Sequence, residues 1–310
     1  MTDNWLQEKA RGALLGLACG DAVGTTVEFC QRGRFEPITD MVGGGKFRLA
    51  PGEWTDDTSM ALCLAESLIA CQGFDARDQM ERYWHWADTG HNSVRPHPIG
   101  MGKTVISALR RYKKTGDPYA GDTDSTSSGN GGLMRLVPAV IAYRYDLSAT
   151  LSYAQAATAV THRSEDCLAA SGLFAEMLFR ALNGECDKSL VLSPPFTANC
   201  SSNLSTILTG DYQTKDDSEI RGSGWVVESL EAALWAFWHG TSFEETVLLA
   251  TNLGDDADTT AAIAGQLAGT FYGERGIPRD WRRKLHRGED IGRLAEQLLE
   301  TFGSSIKAIR

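Results

Sequence analysis

Ala-Ala-Ile-Ala-Gly-Gln-Leu-Ala-Gly, residues 261–269, is crowded with small side chains, and Ile263, Leu267 and Phe271 recur at four-residue steps through and beyond it. That spacing draws one apolar stripe down a helix, and the small residues suit close helix packing. The same reading holds outward along the chain. Met60, Leu64, Leu68 and Cys71 fall three or four apart, as do Val226, Leu230, Ala233, Leu234 and Phe237. The stretches 155–160 and 168–182 read similarly. Period-2 alternation is scarce, with Lys46–Leu49 the best and a poor candidate. The pattern predicts an all-α protein.

Three stretches read as loops: Gly43-Gly44-Gly45, the nearly apolar-free Gly121–Gly132, and Ser193–Gly224, rich in Ser, Thr, Asp and Asn. The last would leave a C-terminal piece too small for an ordinary domain, so the expectation is one domain over 1–310 with a loop excursion at 186–224. Of the 310 residues 42% are hydrophobic and 23% charged, which excludes wholesale disorder. A net charge of −10 argues against nucleic-acid binding driven by phosphate neutralisation. Seven cysteines, an odd number with no C-x-x-C pair, read as free thiols in a reducing compartment. No signal peptide and no apolar run of membrane-spanning length is visible, so a cytoplasmic monomer away from membranes is expected.

Two acidic clusters resemble each other. Thr55-Asp56-Asp57-Thr58 and Asp255-Asp256-Ala257-Asp258-Thr259 each stand directly before a helix, expected to start near Ser59 and Thr260. One such cluster alone reads as capping, since Asp and Thr accept backbone N–H bonds at helix N-termini. Together they stack more carboxylates than two caps need, and those carboxylates repel one another unless a cation lies between them. Carboxylates and hydroxyls with no His or Cys beside them suit Mg²⁺, Mn²⁺ or Ca²⁺ and not zinc. Four to five acids exceed what one octahedral ion needs, which makes a two-metal centre the expectation. Gly20-Asp21-Ala22-Val23-Gly24 with Glu28 is a third element, readable either as small-residue packing or as part of the site.

The order G-A-L-L-G-L-A-C-G-D-A-V-G-T-T-V-E (12–28), W-T-D-D-T-S-M (54–60), G-N-G-G-L-M-R (129–135), T-H (161–162), G-S-G-W-V-V-E-S-L-E-A-A-L-W-A-F (222–237) and N-L-G-D-D-A-D-T-T-A-A-I-A-G-Q-L-A-G (252–269) resembles the ADP-ribosylglycohydrolase family. The likeness runs from about residue 10 to Pro278 and is nearest to the bacterial enzymes that act on dinitrogenase reductase. It implies a single compact orthogonal helical domain with two Mg²⁺ or Mn²⁺ ions. Thr55, Asp56 and Asp57 would form one half of the metal site, and Asp256, Asp258 and Thr259 the other. Glu28 and Asp57 would be the catalytic candidates, Glu28 lying near the scissile ribose. Asn130, Gly131 and Gly132 would contact the ADP-ribose, with backbone amides suited to its pyrophosphate. His162 would touch the ribose or phosphate region; on its own it reads as a surface helix cap. Ser223, Gly224 and Trp225 would border the adenine, where Trp225 alone reads nearly as well as a core aromatic.

The implied activity is hydrolysis of ADP-ribose from an acceptor, first of all arginine on a modified protein. Other linkages (serine, a nucleic-acid adduct, O-acetyl-ADP-ribose) and a non-catalytic ADP-ribose-binding relative are the alternatives. One segment departs from the family: His97-Pro98-Ile99-Gly100 stands where bacterial relatives often carry an acid before Ile/Val-Gly, which leaves the acceptor open. Gly100-Met101-Gly102-Lys103-Thr104 superficially suggests a phosphate-binding loop, but it lacks the first glycine and a preceding strand.

Overall fold

Gly12, Gly16, Gly20 and Gly24 lie on one face of the first helix, α1 (Thr2–Gly24), and that face meets a second helix backbone to backbone. A Cβ at these four positions would stand 2.1–2.4 Å from the carbonyl oxygens of Gly269, Gly265, Ala261 and Ala257 respectively. Descending partners for ascending residues mean an antiparallel pair. The C-terminal end of α1 therefore lies against the N-terminal end of the partner, Ala257–Tyr272. This contact carries Asp21 and Glu28 to Asp256 and Asp258.

The computed structural model describes residues 2–195 and 201–303, with the side chains of Thr2 and Asp3 excepted. After α1 come α2 (Asp56–Cys71), α3 (Ala76–Thr89), α4 (Lys103–Thr115), α5 (Val137–Tyr143), α6 (Leu147–Ala159) and α7 (Glu165–Leu182). Two short helices follow, α8 (Lys188–Leu192) and α9 (Ser205–Thr209), then α10 (Val226–His239), α11 (Phe243–Asn252), α12 (Ala257–Tyr272), α13 (Arg279–Lys284) and α14 (Gly288–Thr301). Among the described residues there is no β-strand beyond isolated bridges, so the all-α expectation holds. None of these helices is long and apolar enough to cross a membrane.

The predicted stripes point inward except at Cys71, which is exposed at the end of α2: Leu64 and Leu68 on α2, Leu230, Leu234 and Phe237 on α10, and Ile263 and Leu267 on α12 are all buried in one core. A smaller cluster of Met60, Met80, Tyr83, Trp86, Leu109 and Tyr112 fills the space between α2, α3 and α4. Lys46–Leu49 is not a strand; Gly44 and Leu49 exchange backbone hydrogen bonds and close a turn. The segment 186–224 carries α8, α9 and 3₁₀ turns rather than open loop, and buries Val191, Leu204, Ile207, Tyr212 and Ile220. Helices this short have little stability alone, so these anchors hold them. Six cysteines are free thiols; Cys200, with the rest of 196–200, lies outside the described residues.

Candidate active site and metal centre

Both helices start earlier than the sequence suggests, so most of each acidic cluster falls at or just inside a helix start, with Asp255 alone ahead of it. Asp56 and Asp57 are the first two residues of α2, and Asp258 is the second of α12. Thr55 and Asp256 take the N-cap positions, yet neither side chain makes a cap hydrogen bond. For α2 that task falls to Asp21 of α1. Its Oδ1 accepts from the Thr55 N–H (2.9 Å) and hydroxyl (2.8 Å), and its Oδ2 from the Thr58 N–H (3.0 Å) and hydroxyl (2.6 Å). The local acids are thereby released from capping and converge instead.

Oxygens of Asp21, Asp57 and Asp258 lie within 4.8 Å of one another, and so do oxygens of Glu28, Asp256 and Asp258. Asp258 belongs to both groups and joins two adjacent oxygen pockets. The Thr55 hydroxyl lies 3.2 Å from Asp57 Oδ2 and 3.3 Å from Asp258 Oδ2. The Thr259 N–H donates to Asp258 Oδ1 at 2.8 Å. Asp57 Oδ1 and Glu28 Oε2 are buried and have no hydrogen-bond partner. A buried carboxylate oxygen without a partner is costly. Here the shortage has a cause: the nearest groups are other carboxylates.

Burial, and then Asp256, push Glu28 up to about 8. Burial and then Asp21 raise Asp56 to about 7. Asp57 and Asp258 are held well above the ordinary range by burial and by like charge, from Asp21 and Glu28 respectively. The donor set consists of hard oxygens, has unpartnered oxygens, and gathers negative charge at two helix N-termini. It fits hard divalent cations, which would supply the missing positive charge.

Glu28 is pinned from its neighbour. The Phe29 N–H donates to the Asp255 carbonyl at 2.7 Å and the Asp255 N–H to the Cys30 carbonyl at 2.8 Å, which ties the Glu28 segment to the Asp256 segment. Gly100 approaches from the other side. Its φ is +84°, and a Cβ there would lie 2.3 Å from Asp56 Oδ1. The segment that departs from the family by its Pro98 thus presses bare backbone against a candidate ligand. Gly100→Ala is expected to displace Asp56 and weaken Mn²⁺ binding at least tenfold, a loss of about 1.4 kcal/mol. Calorimetric titration checks this; wild-type affinity in a folded variant contradicts it.

The loop expected to contact ADP-ribose sits beside the acids. The Asn130 N–H donates to the Gly224 carbonyl at 3.1 Å, and its Nδ2 to Asp256 Oδ2 at 2.7 Å and Ser229 Oγ at 3.1 Å. Gly129 and Trp225 pair as an isolated bridge. His162 is not a surface cap. It is buried beneath this loop, with its Cε1 2.6 Å from where a Gly131 Cβ would stand, and its Nδ1 2.8 Å from the Thr161 hydroxyl. A Gly132 Cβ would meet the Thr158 methyl at 2.3 Å. Burial, and then Arg135, lower His162 to about 3, so it supports the loop as a neutral ring. Trp225 is no core aromatic: it is 38% exposed at the N-cap of α10. The Ser223 hydroxyl donates to Glu228 and accepts from the Trp225 N–H at 3.2 Å, holding that turn.

Two residues of the site are given no individual role by the sequence. Asp21 had a signal, being the one charged side chain in the otherwise small and apolar run 12–24. Arg135 had none. It is 1% exposed, donates to the Thr161 hydroxyl and the Met60 sulfur, stacks 4.8 Å over Tyr83, and leaves Nε without a partner. Its positive charge lowers Asp56 a little against the burial and like charge that raise it.

Known proteins share this chain's sequence and fold. The chain is 43% identical over 300 residues to the ADP-ribosylarginine hydrolase Tri1 of Pseudomonas putida, covering 97% of this chain and 80% of that protein. It is 31% identical to the ADP-ribosyl-dinitrogen reductase glycohydrolase of Rhodospirillum rubrum, covering 98% and 99% of the two chains. A solved structure titled ADP-ribosylglycohydrolase-related protein complex superposes with a TM-score of 0.87 at 43% identity, over 96% of this chain and 99% of that one. The family model for ADP-ribosylglycohydrolase spans residues 2–307, more than the whole of the site, and the chain belongs to the ADP-ribosylglycohydrolase family.

Proposed function

We propose that this chain hydrolyses the N-glycosidic bond of ADP-ribosyl-arginine on a modified protein, with two Mg²⁺ or Mn²⁺ ions at the joined oxygen pockets. The observation that carries the reading is the pair of buried, unpartnered oxygens, Asp57 Oδ1 and Glu28 Oε2, in two pockets that share Asp258. Thr55, Asp56, Asp57, Asp256, Asp258 and Thr259 would hold the ions, with Asp21 fixing the start of α2. Bound there, the ions supply Lewis-acid charge and an activated water. Water adds to ribose C1″ while the bond from C1″ to the guanidinium nitrogen breaks, and the proton lost by water is returned to that nitrogen. Glu28 would handle the proton, because it carries a buried, unpartnered carboxyl oxygen beside Asp256 and Asp258. Cations would shift it toward the carboxylate.

Asn130, Gly131 and Gly132 would line the pyrophosphate, His162 would stiffen that loop from below, and Ser223, Gly224 and Trp225 would border the adenine. Trp225→Ala is expected to weaken ADP-ribose binding by roughly 1–3 kcal/mol, the range for a base stacked on an aromatic ring. Calorimetry checks it; unchanged affinity with the fold intact removes the ring from the adenine site. Arginine is preferred as acceptor because two similar proteins, from Pseudomonas putida and Serratia proteamaculans, are named ADP-ribosylarginine hydrolases. Arginine-linked and serine-linked ADP-ribosyl peptides, offered under identical Mn²⁺, test this. Release from arginine is the expected result, and release from serine alone overturns it.

A further inference from the structure

Phe29 follows Glu28 directly with φ +66°, in the left-handed region that a bulky L-residue avoids. The paired hydrogen bonds to the Asp255 segment hold it there. Burial does not offset this strain: at 58% exposure Phe29 is the most open of the large apolar side chains described. What covers the ring is a cation. Lys46 Nζ lies 4.2 Å from the Phe29 centroid and 6.0 Å from that of Phe47.

Lys46 belongs to the turn closed by Gly44 and Leu49, and that turn is docked on the chain leading to Glu28. The Thr26 hydroxyl donates to the Gly43 carbonyl at 3.1 Å, and a Cβ on Gly45 would stand 2.1 Å from the Thr25 carbonyl oxygen. Two rings and an ammonium are thus held on fixed segments, and Phe29 directly follows the proposed proton-handling acid in the chain. Trp225 stands on a different segment, at the N-cap of α10, and in the reading above would border the adenine instead.

We propose that Phe29, with Phe47, is the acceptor subsite, and that the arginine side chain of the substrate lies on the Phe29 face in the seat that Lys46 fills in the free protein; this rests on the arginine-linked reading above. A guanidinium is planar, weakly hydrated and stacks on aromatic faces, whereas an ammonium is compact and strongly hydrated. Exchange of Lys46 for the substrate cation is therefore favourable, and the strained backbone beside Glu28 keeps the ring turned outward to receive it.

The test compares Phe29→Leu and Phe29→Tyr with the wild type. Phe29→Leu should raise KM for ADP-ribosyl-arginine by about 3- to 30-fold, the range for a cation held on an aromatic face. Inhibition by ADP-ribose should not change, and Phe29→Tyr should behave as wild type. Lys46→Met should lower KM, since no resident cation then competes. An unchanged KM in Phe29→Leu, an equal loss of ADP-ribose affinity, or a raised KM in Lys46→Met overturns the proposal. A second measurement separates it from the reaction itself: arginine methyl ester titrated into the protein with ADP-ribose bound. Binding to wild type that is lost in Phe29→Leu sustains the seat even if arginine-linked substrate is not released. No binding to wild type overturns the seat and leaves the hydrolysis reading standing.

Discussion

Stripped of divalent cations, the protein is expected to lose stability as pH rises from about 4 to 8, and Mg²⁺ or Mn²⁺ is expected to restore it. Glu28 is raised from an ordinary 4.5 to about 8 and Asp56 from 3.8 to about 7. Between the ordinary and the raised values the folded protein holds protons that the unfolded chain releases, so unfolding becomes easier as pH rises through that window. The stability that these two groups contribute is full below about pH 4 and is lost through pH 8. Cations replace those protons, so their stabilising effect is small at pH 5 and large at pH 8. At a hundredfold excess over Kd the gain is about 2.7 kcal/mol, or several degrees in Tm for a chain of this size. Asp57→Asn should raise the Tm of the cation-free protein at pH 8 and abolish the gain from Mn²⁺. Thermal denaturation with chelator or Mn²⁺ at the two pH values decides it; an equal gain at both contradicts the account.

Glu28→Gln should bind metal and ADP-ribose as wild type does and lose turnover by roughly 10²–10⁴-fold, the contribution of a positioned proton-transfer group. The amide keeps the shape of the side chain and its place beside Asp256 and Asp258, but it cannot carry the proton. The loss should therefore fall on kcat and kcat/KM together, as expected for an interaction made only in the transition state. Single-turnover kinetics with calorimetry on the same preparation checks it. Wild-type turnover removes Glu28 from the reaction, and a parallel loss of metal would mark it as a ligand first.

The helices α2, α7, α10 and α12 were legible because each has an apolar stripe at helical spacing, and Leu64, Leu230 and Ile263 are buried as that spacing predicts, whereas α1, α3, α4 and α14 were not read as helices from the sequence. The starts of α2 and α12 were not legible. Their acids look like caps ahead of a helix, whereas the α2 cap comes from Asp21, 34 residues before Thr55, and no local pattern shows a partner that distant. The same limit hid Arg135, whose importance lies in what surrounds it. His162 and Trp225 each allowed opposite readings until burial was known: the histidine is inside and the tryptophan half outside. In 186–224 polar composition masked short helices that depend on a few anchors such as Tyr212 and Ile220, too sparse to make a period.

Release of ADP-ribose from arginine-linked substrate, followed while Mn²⁺ is returned to chelated protein, tests the central claim most directly. No release in chelator, recovery that saturates with added Mn²⁺, and no recovery in Asp57→Asn or Asp258→Asn is the predicted result. Full release in excess chelator, or full recovery in either variant, would contradict it.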